Sequence, residues 1–120
     1  MVVVARRRGT GMALTTAARE WQLEVAATTL PAGIRLRGEV DICSLPSLEL
    51  ALEMLVGRDG DATVDLRELT FIDVTGLRAL ARAAIQLRSR GLRVRLAGAG
   101  RQTRHVLGVL GWAKLFEFRE

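Results

Sequence analysis

The chain has 120 residues, 49% of them hydrophobic and 26% charged, with a formal net charge of +5. This describes one domain large enough to bury a core without a disulfide or metal staple, and it excludes a disordered chain. Apolar runs are only a few residues long, which excludes a transmembrane helix; the run at residues 2–5 precedes its arginines, the reverse of a secretory leader. The single cysteine, Cys43, can form no internal disulfide, so a cytoplasmic location is expected.

Charge is unevenly placed. Residues 1–20 hold four Arg and one acid, net +3; residues 21–75 hold four Arg and ten acids, net −6; residues 76–120 hold ten bases and two acids, net +8. Residues 1–20, with Arg6, Arg7 and Arg8 and no apolar periodicity, read as a basic leader expected to be disordered, and Met12 is an alternative start. The domain is expected to be residues 21–120.

From Trp21 onward Leu23 and Val25 alternate with Gln22 and Glu24, the period of a half-buried strand. Pro31, Ala32 and Gly33 supply turn chemistry, and Ile34, Leu36 and Val40 follow in a second strand, giving a hairpin. Ser44 and Pro46 start a helix whose stripe is Leu48, Ala51, Leu52 and Leu55, and which stops at Gly57. A third strand is expected over residues 62–66. A helix over residues 76–90 carries Leu77, Leu80, Ala81, Ala84 and Leu87. A fourth strand over residues 92–96 precedes a helix over residues 101–110 carrying Val106, Leu107 and Leu110. Trp112, Leu115, Phe116 and Phe118 form a last short apolar segment that leaves room for a terminal strand beyond the last helix.

The order is β-β-α-β-α-β-α. Helices between the later strands imply parallel crossovers, so the expected fold is α/β: a mixed sheet with helices packed mainly on one face. Alternation in all four strands leaves the other face wet, showing Gln22, Glu24, Arg35, Arg37, Thr63, Asp65, Arg93 and Arg95.

The chemistry of catalysis is sparse. With one His (His105, read as a surface residue) and one Cys (Cys43, read as a small buried residue) there is neither a zinc set nor a nucleophilic triad. A phospho-aspartate receiver would need a lysine beside its acids, and Lys114 lies beyond the last helix. Gly98, Ala99 and Gly100, between a strand and a helix, read as a tight turn; their amides keep open an anion- or nucleotide-responsive sensor. No catalytic residue, metal or cofactor is expected.

The most informative stretch is Leu69-Thr70-Phe71-Ile72-Asp73-Val74-Thr75-Gly76-Leu77. Phe71 and Ile72 are expected to anchor it to the core, Asp73 and Thr75 to accept bonds from free amides at the helix start, and Gly76 to allow a tight turn or close approach of a partner. Arg78 and Arg82, four apart, share one helix face.

Taken in order, Gly38-Glu39-Val40-Asp41, Val64-Asp65-Leu66, Phe71-Ile72-Asp73-Val74-Thr75-Gly76-Leu77, Gly91 and Val106-Leu107…Gly111 resemble the STAS domain of bacterial anti-sigma factor antagonists. The resemblance covers residues 21–118. It implies a non-enzymatic module of transcription regulation that binds an anti-sigma factor which is also a serine kinase, freeing a sigma factor. In such proteins the kinase phosphorylates the residue directly after the motif aspartate, breaking the complex, and a phosphatase resets it. Here that residue is Val74, which has no hydroxyl. Thr75, one residue later, is the remaining candidate acceptor, and a phosphorylation-independent antagonist is the preferred reading. The expected partner surface is Asp41, Asp73, Thr75, Gly76 and Leu77 from the matching motifs, with Arg78 added from the basic helix face, and no membrane partner is expected. Nucleic-acid binding through the basic last third ranks below both the antagonist and the sensor.

Overall fold

The computed structural model describes residues 2–6 and 21–120. Six strands lie in one sheet in their sequence order: β1 (Val2–Arg6), β2 (Trp21–Thr29), β3 (Ala32–Val40), β4 (Ala62–Ile72), β5 (Val94–Ala97) and β6 (Glu117–Arg119). β1 and β2 pair antiparallel, as do β2 and β3; β3, β4, β5 and β6 run parallel. Three helices join the parallel strands: α1 (Leu45–Val56), α2 (Val74–Arg88) and α3 (Arg101–Val109), the last followed by a 3-10 turn at Ala113–Leu115. From Trp21 the order is the β-β-α-β-α-β-α read from periodicity, closed by β6.

One strand lies ahead of that order. The backbone of Val2–Arg6 pairs with β2 inside the stretch read as a leader, and makes β2 an interior strand. Residues 7–20, the rest of that leader, lie outside the described residues. Gln22, expected on a wet face, is buried at 4% exposure. Thr63 is also buried; its Cα partner on β5 is Arg95, whose long stem is suited to covering a short neighbour.

The helix stripes are as periodicity places them. Leu48, Ala51, Leu52 and Leu55 are buried on α1, and Leu77, Leu80, Ala81, Ala84 and Leu87 on α2. They meet Leu23, Val25, Leu36, Val40, Val64 and Leu96 from the sheet in one core. On α3 only Leu107 is buried, with Val106 half-buried and Leu110 exposed.

On the opposite face the arginines pair with acids. Glu117 of β6 takes Arg93 Nη1 at 2.6 Å and Arg95 Nε at 3.1 Å, and Glu68 lies 3.6 Å from Arg37 and 3.9 Å from Arg35. The hydrogen bond from Arg93 is the main influence holding the Glu117 carboxyl below its ordinary value of 4.5; partial burial opposes it, and Arg95 adds to it. A depressed folded-state pKa contributes stability above the unfolded value that is lost as pH falls through the folded one. Glu117→Gln is therefore expected to lower the melting temperature at neutral pH and to flatten its decline below pH 4.5. Thermal melts across pH check this; parallel curves for the two proteins would refute it.

Candidate partner-binding site at the carboxyl ends of β3 and β4

Parallel strands deliver their following loops to the same end of a sheet. Val40 is the Cα partner of Ile72, and the amide of Asp73 donates to Val40 O at 3.0 Å, so the loops opening with Asp41 and Asp73 emerge side by side. Strand β4 runs to Ile72, six residues beyond the expected end, across two register shifts in its pairing with β3. The charges of Arg67 and Glu68 interrupt the apolar alternation there, which is why periodicity stopped at Leu66.

Each aspartate is folded onto its own loop. Asp41 Oδ1 accepts from the Cys43 amide at 2.8 Å and the Ser44 amide at 3.4 Å. Ser44, fully buried, donates its hydroxyl to Glu39 O at 3.0 Å and accepts from the Asp41 amide at 3.1 Å. This turn sends Ser44 inward and Cys43 outward, so Cys43 is exposed where a buried residue was expected. Asp73 caps α2: its backbone is extended, and Oδ1 accepts from the Gly76 amide at 3.1 Å. Thr75 accepts no amide. Its hydroxyl donates to the same Asp73 oxygen at 2.5 Å, and the residue is half-buried.

Gly76 and Leu77, named as partner contacts, lie beneath this surface. Leu77 is 2% exposed. A Cβ on Gly76 would stand 2.6 Å from Val40 Cγ1 and 2.8 Å from Ile72 Cγ1, so the glycine lets α2 seat against both strand ends. Gly76→Ala is expected to destabilise the fold. The helix-propensity gain of up to about 1 kcal/mol is outweighed by overpacking worth about 1–3 kcal/mol. Denaturant unfolding measures it; an unchanged midpoint would mean that Val40 and Ile72 yield freely.

What the surface presents instead is apolar. Ile42 is 72% exposed, Phe71 52% and Val74 42%. Phe71 was expected in the core, but strand alternation turns it away from Ile72, which packs against the core. Reading β4 through to Ile72 would have revealed this. Arg78, exposed and one turn from Val74, adds a cation. Phe71, Asp73 and Val74 also line a groove whose far wall is the start of α3 at Arg101 and Gln102. Gly98, in the turn before α3, has φ +71°, and a Cβ there would meet Arg67 Cγ at 2.3 Å, so it is the tight turn its composition indicates. His105 is exposed on α3, as read. Among the described residues no group of three His, Cys, Asp or Glu is placed to hold a metal ion, and no helix is long and apolar enough to cross a membrane.

A mixed sheet with parallel strand ends, two aspartate-anchored loops and helices on one face is the STAS architecture. The family described as "Mlab, STAS domain" matches residues 23–117, and the chain belongs to that family. Its fold is shared with the anti-sigma factor antagonist SpoIIAA in its unphosphorylated form: TM-score 0.65, 17% identity, covering 82% of this chain and 87% of that one. An anti-sigma factor antagonist from Mycobacterium paratuberculosis is similar at TM-score 0.63 and 25% identity, over 82% of this chain and 84% of that one. A sulfate transporter family protein from Wolinella succinogenes shares the fold at TM-score 0.53 and 15% identity, over 86% and 84% respectively. No curated protein matches the chain in sequence.

Proposed function

We propose that this STAS protein is an anti-sigma factor antagonist that holds its partner by surface contact, with no phosphorylation switch. The surface is Asp41, Ile42, Phe71, Asp73, Val74 and Arg78, with Thr75 at its edge and with Gly76 and Leu77 setting its shape from below. Three exposed apolar side chains beside two carboxylates and a guanidinium suit a protein–protein contact, with apolar anchors at the centre and charges to fix register. The similarity to a mycobacterial antagonist favours an anti-sigma factor as the partner.

The observation that carries the absence of a switch is the state of the two residues after Asp73. Val74 is exposed where the resemblance places the acceptor, and it has no hydroxyl to phosphorylate. Thr75 has one, but it is half-buried and committed to Asp73 Oδ1 at 2.5 Å. A kinase would have to break that bond and draw the side chain out before transfer. The product would place about −1.5 to −2 charge against Asp73, which stabilises no part of the cap.

The test is to combine the chain with the serine-kinase anti-sigma factor of its own host, with and without ATP, and to read complex and phosphate by native mass spectrometry. A complex that persists in ATP with unmodified Thr75 is expected. ATP-dependent release with phosphate on Thr75 would replace this reading with a displaced switch. Failure to bind under either condition would remove the antagonist function.

A further inference from the structure

Helices α1 and α2 lie side by side and, as successive crossovers between parallel strands, point the same way. Their outer face carries opposite charges on its two sides. Glu49 and Glu53 stand on α1; Arg82 and Gln86 stand across a shallow groove on α2, floored by Leu52, Ala79 and Ala83. Arg78 continues the basic side one turn earlier. None of Glu49, Glu53, Arg78 and Arg82 holds an ion pair among the described residues, although arginines and acids on the sheet and its loops pair repeatedly. Beside these charges lie Leu50, 50% exposed, and Met54, 45% exposed, on α1, and Ile85, 53% exposed, on α2.

We propose that this face binds a second copy of the chain, forming a two-fold dimer in which each α1 lies over the partner's α2. Only two simple two-fold arrangements stack this helix pair on itself. With the axis across the helices, acidic α1 meets acidic α1 and basic α2 meets basic α2. With the axis along the groove, Glu49 and Glu53 of each copy face the arginines of the other, and both helix contacts are favourable at once. The charge pattern is therefore self-complementary in one arrangement and repulsive in the other. Leu50, Met54 and Ile85 supply apolar area to bury at the same contact, and the alanine floor lets the backbones approach. The inference does not depend on the partner proposed at the β3–β4 ends; the two surfaces share only Arg78, and the test uses Glu49 and Arg82, which line the groove and lie outside that partner surface.

The test is sedimentation velocity on the full chain over a concentration series at low and high salt. Dimerisation that weakens with salt is expected. Glu49→Arg and Arg82→Glu, each at an exposed position, should separately weaken self-association at least about tenfold by setting like charges face to face. An equimolar mixture of the two variants should dimerise again. The arginine introduced in one variant then faces the glutamate introduced in the other, and the native Arg82 of the first faces the native Glu49 of the second. Recovery also proves both variants folded. A monomeric wild type at every concentration overturns the proposal. So do variants that associate like wild type, and so does a mixture that stays monomeric while circular dichroism shows both chains folded.

Discussion

Replacing Phe71 by Ala is expected to weaken binding to the proposed anti-sigma factor partner by about 2 kcal/mol, roughly thirtyfold, while leaving the fold nearly intact. The two effects separate because of where the ring sits. It stands at the end of β4 with half its surface in solvent, so the free protein gains little from it. In a complex it would be desolvated in the surface beside Val74, with which it lines one groove, the position in which aromatic side chains dominate binding energy. Asp73→Asn is the informative companion. Asn caps a helix about as well as Asp, so α2 should keep its start while the carboxylate charge is lost. Asp73→Ala also loses the cap, at about 1 kcal/mol of stability. Calorimetric titration with thermal melts on the same samples distinguishes these. If Phe71→Ala binds like wild type, the apolar patch is not the contact.

Much of the fold was legible, because a helix or strand that buries one face must repeat its apolar residues at its own period. All nine residues assigned to the α1 and α2 stripes are buried. What escaped notice lacked such a repeat. β1 is four successive apolar residues and the first arginine of a run of three, with no alternation to mark it. The far half of β4 carries Arg67, Glu68 and Thr70 beside Leu69 and Phe71, a mixture that periodicity reads as a loop. The site was half visible for the same reason. Asp73 as a helix cap follows from residue type and position alone, and its bond to the Gly76 amide is the expected one. Whether Thr75 accepts from an amide or donates to Asp73 depends on a side-chain rotation that no spacing encodes. Nor does spacing tell a glycine open to a partner from one pressed between Val40 and Ile72. Position in the motif was legible; the direction each residue faces needed the register of β3 against β4.

That direction also decides how the site could be regulated, and Val74→Ser tests it. Val74 is the first residue of α2, is 42% exposed and makes no hydrogen bond through its side chain. Ser and Val have similar helix propensities and Ser is at ease near a helix start, so the substitution should leave stability within about 0.5 kcal/mol. It places a hydroxyl in solvent beside Asp73, whereas the Thr75 hydroxyl stays bound to that carboxylate. With a kinase-type anti-sigma factor and ATP, Val74→Ser is expected to acquire one phosphate on the new serine and to leave the complex, while the wild type remains bound and unmodified. Within the free chain the phosphate is tolerable, since the first amides of α2 and the positive end of its dipole favour an anion there. Against the partner it is not, because about −1.5 to −2 charge joins Asp73 and Asp41 on a surface whose complement was built without it. Phosphate on Thr75 of the wild type would show that the bond to Asp73 opens readily, and the switch would then belong to the native chain. A Val74→Ser protein that binds but is never phosphorylated would place the kinase active site away from the head of α2, and the partner would then approach this surface from another side.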